Sequence, residues 1–120
     1  MPDITPYVYK ATVISVHDGD TMTLNLNLGF EVQFKLVVRL MGIDTPELSG
    51  KTKAAAIRSR DRLRDLVAGG AVTVRTFKDS QEKYGRYLAD VYVPGVEKSV
   101  NQILVDEGLA VPYFGGRKQA

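Results

Sequence analysis

The chain contains no cysteine and a single histidine in its 120 residues. Without thiols there is no disulfide, no thiolate metal site and no cysteine nucleophile, and the redox compartment is left open. No window approaches the run of about twenty apolar residues that a membrane-spanning helix needs. Charge of one sign is also scarce: sixteen basic against fourteen acidic residues leave +2. That surplus is too small to announce a polyanionic partner, so the distribution of charge matters more than its total. The opening Met1-Pro2-Asp3-Ile4-Thr5-Pro6 has neither the basic nor the apolar region of a signal peptide. As written, the chain is expected to be soluble and cytoplasmic, or secreted if a precursor segment has been removed. There is no repeat, low-complexity segment or linker, and the length fits one domain with a core that needs no staples.

What is present reads as strands and two helices. Tyr7 to Val16 is rich in β-branched and aromatic residues and has no breaker. Asp18-Gly19-Asp20 then offers turn chemistry, glycine tolerating positive φ in a tight reversal. From Thr21, residues Met22, Leu24, Leu26 and Leu28 share one parity, which predicts a half-buried strand. After Gly29 the alternation resumes, with Val32, Phe34, Leu36, Val38 and Leu40 on one face and Arg39 on the other. A slip of one residue would bury the guanidinium, so Arg39 is expected to point out of the sheet. Lys51 to Ala68 reads as a helix stopped by Gly69-Gly70. Its Arg58, Arg60, Arg62 and Arg64 suit a solvated face paired with Asp61 and Asp65. Ala71 to Phe77 and Tyr87 to Val93 are further strands. Ser99 to Gln102 has the form of a capping box before a short helix, Val100 to Glu107, and the residues from 115 are expected to fray. Three strands, a helix, two strands and a closing helix is the order of a mainly β, five-stranded OB barrel, although an open α+β sheet has the same order.

Val37 to Glu47 organises the chain. It starts as an apolar strand carrying Arg39 and ends at Asp44-Thr45-Pro46-Glu47, where proline fixes its own φ and pushes Thr45 into an extended conformation. Asp20 and Asp44, with a backbone carbonyl, could supply oxygen ligands to one hard divalent ion. Asp18-x-Asp20 is not an EF-hand loop, since Met22 stands where a third ligand belongs. Guanidinium groups grip phosphate oxygens in fork geometry, and Arg39 and Arg86 are the candidates. Each residue also has a plainer reading: Asp20 as turn chemistry, Glu47 as a cap of the next helix, Arg86 as a partner of Glu82 or Asp90, and Tyr84 and Tyr113 as packing groups.

Asp18-Gly-Asp-Thr21, the segment Arg39 to Glu47, Lys83-Tyr-Gly-Arg86 and Asn101 through Leu109 together resemble, in order and approximate spacing, the staphylococcal nuclease family. The resemblance covers roughly Tyr7 to Tyr113. It implies a calcium-dependent nuclease, acting on DNA and RNA that is single-stranded or breathing and leaving 3′-phosphates. Asp20, Asp44 and the Thr45 carbonyl would hold Ca2+, Glu47 would be the general base, and Arg39 and Arg86 the phosphate clamps. Lys83, Tyr84 and Tyr113 would contact the nucleotide. His17 then has no acid or base role left and is expected at the surface or in a supporting position. No membrane partner is implied, and a monomer is expected. The chain departs from the family's type member between Glu47 and the helix, where it is shorter and has Lys51 and Lys53 instead of a lysine-rich loop. The alternative is a nuclease-like OB domain that binds nucleic acid or protein without cutting, but such domains have usually lost the carboxylates or arginines kept here.

Overall fold

The alternation that begins at Thr21 builds the centre of the molecule. In the computed structural model, which describes residues 7–78 and 87–113, the elements are β1 (Val8–Asp18), β2 (Thr21–Gly29), β3 (Val32–Leu40) and β4 (Ile43–Asp44). A single 3-10 turn (Gly50–Thr52) leads into α1 (Lys53–Leu66), followed by β5 (Ala71–Lys78), β6 (Tyr87–Tyr92), α2 (Val100–Asp106) and β7 (Val111–Pro112). Five strands close a barrel in the order β1-β2-β3-β6-β5, with β5 returning to β1, so the closed form and not the open sheet is found. The β3–β6 pair is parallel and the others are antiparallel. Two-residue strands β4 and β7 pair apart from the barrel.

Inward parity fills the barrel as expected. Met22, Leu24, Val38, Leu40, Val74 and Val91 are fully buried, and Leu63 of α1 with Val100 and Leu104 of α2 complete the core. Each contributes about 1.5–3 kcal/mol by leaving water. The expectation fails at the far end of the β2–β3 hairpin, where Leu28, Val32 and Phe34 are 41%, 51% and 53% exposed and Phe30 is wholly so. The physical reason is reach: β3 pairs with β6 only from Val38 to Leu40, so the hairpin runs past the barrel wall that would cover it. The molecule is accordingly long in one direction, 46 × 30 × 28 Å.

Helix ends follow their local chemistry with two revisions. Before α1 the chain makes the 3-10 turn, and the helix ends at Leu66 before a turn closed by Gly70 at φ +84°. The Ser99 hydroxyl caps α2 by accepting from the Gln102 N–H at 3.1 Å, but the Gln102 side chain donates to Asp106 instead of reaching back, so only half of the capping box forms. Asn101, buried beside Val100, donates to the carbonyls of Met41 and Ala89 and accepts from the Val91 N–H. It thereby ties α2 to β6 and to the turn between β3 and β4, which carries Asp44 into place.

Candidate active site

The β1–β2 turn supplies the first acid. The Asp20 N–H donates to Asp18 Oδ1 at 3.1 Å, which folds the turn back on itself and swings the Asp20 carboxylate inward. Gly19 is not at positive φ, contrary to expectation; it is needed for space. A Cβ there would stand 2.7 Å from the Ser59 Cβ on α1 and 3.0 Å from Thr45 Cγ2. Ser59 is fixed in turn, its hydroxyl donating to the Leu109 carbonyl at 2.6 Å. Gly19→Ala should therefore cost about 1–3 kcal/mol, as overpacking does, read as a lower unfolding midpoint. An unchanged midpoint would mean that α1 can move away from the turn.

Arg39, at the end of β3, lies opposite Thr21 and points outward as its parity requires. One guanidinium nitrogen, Nη2, lies 3.3 Å from Asp44 Oδ1, 3.9 Å from Asp20 Oδ2 and 3.1 Å from the Ile43 carbonyl it donates to. The three side chains are mostly covered, at 16% for Arg39, 11% for Asp20 and 17% for Asp44. Asp44 owes its position to β4, which pairs with β7, and the same pairing brings Tyr113 under the guanidinium at 4.9 Å from its ring centroid. The Thr45 N–H donates to Asp20 Oδ2 at 3.2 Å, joining the Thr-Pro corner to the β1–β2 turn.

Burial pushes the Asp20 carboxyl above the ordinary carboxylate range, and Asp18 adds to this. Arg39 and the Thr45 N–H pull the other way without cancelling it. Two carboxylates that converge on one cation, one of them short of compensating charge, form an oxygen donor set suited to a hard divalent ion. Among the described residues no group of three acids or histidines is placed to hold a metal, so such an ion would draw further ligands from backbone oxygens, water or substrate.

Glu47 is exposed, and its carboxylate engages no described residue. The side chains of Ser49 and Thr52, the N-caps of the 3-10 turn and α1, make no capping hydrogen bond, and the Glu47 carboxylate makes none to either helix start. Its backbone carbonyl instead accepts from the Thr52 hydroxyl at 2.7 Å. Lys83, Tyr84 and Arg86 lie outside the described residues, as does the segment from 115. His17 is exposed and its Nε2 is 2.7 Å from the Thr23 hydroxyl. Of the helix arginines, Arg60 and Arg64 pair with Asp61 as expected, but Arg62 forms a two-bond bridge to Glu107, which caps the end of α2.

The family model described as staphylococcal nuclease homologue matches residues 37–120. The chain belongs to this family. Among curated proteins it is similar to the SPbeta prophage-derived endonuclease YokF and the endonuclease YncB, both of Bacillus subtilis (strain 168). Each is 38% identical over 97 residues, or 78% of this chain, which corresponds to 30% of YokF and 43% of YncB. The chain thus spans less than half the length of these two nuclease-family relatives. The family match takes in Arg39, Asp44, Thr45, Glu47 and Tyr113, while Asp20 lies before it.

Proposed function

We propose that this domain is a phosphodiesterase that hydrolyses DNA and RNA with calcium, favours unpaired strands and leaves 3′-phosphates. The observation that carries the reading is the Arg39 guanidinium, held on the outer face between Asp20 and Asp44 beside a corner that ends in the exposed Glu47. Membership of a nuclease family, and the endonuclease names of two relatives, support it.

Asp20, Asp44 and the Thr45 carbonyl would hold calcium, which when bound supplies a Lewis acid and a template for phosphate and water. Glu47 removes the proton of the attacking water. As phosphorus becomes five-coordinate, charge grows on its equatorial oxygens. Arg39 donates to them, held in place by the Ile43 carbonyl and by Asp44, so little reorganisation is needed as the charge develops. Arg86 is the second guanidinium in this reading, and Lys83, Tyr84 and Tyr113 contact the nucleotide.

The test is incubation of heat-denatured DNA, and separately RNA, with calcium, magnesium or chelator. Calcium should give cleavage to 3′-phosphate ends. Magnesium should give far less, because it dehydrates reluctantly and demands a tighter octahedral set than two carboxylates and a carbonyl provide. Equal rates with the two ions would mean the ion is misassigned, and no cleavage with calcium would leave a domain that binds without cutting.

A further inference from the structure

Away from the Arg39 cluster, the same face of the β2–β3 ribbon carries a second pattern. Strand register sets Thr21 against Arg39, Thr23 against Val37, Asn25 against Lys35 and Asn27 against Gln33. All of these leave the face that carries the Arg39 guanidinium, because side chains of one parity share a side. The row crosses to β1, where Thr12 lies opposite Asn25 and Lys10 opposite Asn27, and then to β5, where Thr73 lies opposite Lys10. There the curled sheet forms an open cleft of about 450 Å³, with Lys10, Thr12, Asn25, Asn27, Gln33 and Thr73 in its lining.

The chemistry of this face is uniform. None of these strand positions is a carboxylate; the acids that border the row are Asp20 and Asp44 at the Arg39 end and Glu31 in the turn at the other. Lys10 and Lys35 are exposed, and neither has an ion-pair partner among the described residues. Around the helices, by contrast, Arg62 of α1 and Lys98 ahead of α2 are held by Glu107 and Asp106 at the end of α2. The Asn25 amide donates to Gln33 Oε1 at 2.8 Å, which leaves the Asn25 carbonyl oxygen and the Gln33 NH2 directed to an incoming group. Amides and hydroxyls that donate and accept, with exposed ammonium groups that no described acid holds, match a sugar-phosphate chain. A neutral oligosaccharide would satisfy the amides but not the lysines or the continuity with Arg39.

We propose that this face is a track for the single-stranded nucleic acid flanking the bond to be cut, leading from Arg39 into the Lys10 cleft. Six residues of extended strand separate Arg39 from Gln33, about 20 Å, which accommodates several nucleotides. The proposal deepens the nuclease reading and rests on it.

The test measures binding of a fluorescent 15-nucleotide oligothymidylate and of a dinucleotide, in chelator, across a salt series. Removing two phosphate contacts on a single strand lowers the slope of log affinity against log salt by about 1.4. Lys10→Ala/Lys35→Ala should show that drop with the oligothymidylate but not with the dinucleotide, which cannot span the track. Lys98→Ala, just before α2, should keep the wild-type slope. A double variant with the wild-type slope, equal losses for both ligands, or equal losses in Lys98→Ala would overturn the track. Binding that ignores salt would do so as well, in favour of a neutral ligand. If the wild type cuts DNA with calcium while the double variant binds normally, the track fails and the nuclease reading stands. If the slope falls as expected in a protein that cuts with no ion, the nucleic-acid track stands and the nuclease reading fails.

Discussion

Replacing Glu47 by Gln should lower turnover roughly 10²- to 10⁴-fold, the usual contribution of a positioned general base, while the unfolding midpoint stays where it is. Both halves follow from the surroundings of the side chain. Its carboxylate is exposed and makes no bond to any described residue, so the amide removes no folded-state interaction. The bond that holds this corner in shape, from the Thr52 hydroxyl to the Glu47 carbonyl, belongs to the backbone and survives the change. Glutamine keeps the size and the hydrogen-bonding ability but cannot take a proton from water near neutral pH. The measurements are kcat on heat-denatured DNA under saturating calcium and thermal unfolding of the same preparation. Activity within a few-fold of wild type would mean that another group removes the proton. A large fall in the midpoint would mean that Glu47 holds the corner together, and its place in the reaction would need a new argument.

The parts of this site readable from sequence were those fixed by short-range rules. Alternation through β3 set Arg39 on the outer face, because the opposite parity would have buried an unpaired charge. The Asp18-Gly19-Asp20 turn and the Thr45-Pro46 corner announced themselves through residue types with few backbone options. What stayed hidden depends on distant segments meeting. β4 and β7 have two residues each, too few for any period, yet their pairing seats Asp44 and delivers Tyr113 to Arg39. Asn101 stood out only as a polar residue between the apolar positions of a short helix, a signal that could have suggested its role of tying that helix to the site. Gly19 was expected for its conformational freedom, whereas the approach of Ser59 is what demands it. Parity also says which way Leu28 and Phe34 face but not where the barrel wall ends, so their exposure could not be foreseen. Arg62 looked like a local partner of Asp65 because the spacing rule does not include α2.

Asp20→Asn should abolish calcium-dependent cleavage and yet make the calcium-free protein harder to unfold, by a few degrees. In the folded chain, burial and the neighbouring Asp18 raise the carboxyl's pKa above its unfolded value, against the opposing pull of Arg39 and the Thr45 N–H. For a group shifted in that direction, the stabilising contribution is complete below the unfolded pKa, near pH 4, and is lost as pH rises through the folded value. At neutral pH the ionised Asp20 is thus a net cost in the absence of a cation. Asparagine removes the charge and can keep both contacts: its oxygen, in the Oδ2 position, accepts from the Thr45 N–H, and its NH2, in the Oδ1 position, donates to the Thr21 hydroxyl, which can accept as well as donate. Thermal unfolding in chelator should therefore show the variant above the wild type at pH 7, with the gap closing toward pH 4. Added calcium should reverse the order: an ion at one hundred times its dissociation constant stabilises a single site by about 2.7 kcal/mol, and the variant has lost one of the two carboxylates that would bind it. A variant less stable than wild type in chelator would show that the attraction of Arg39 outweighs burial at Asp20. A calcium-induced rise as large in the variant as in the wild type would place the ion somewhere other than between Asp20 and Asp44.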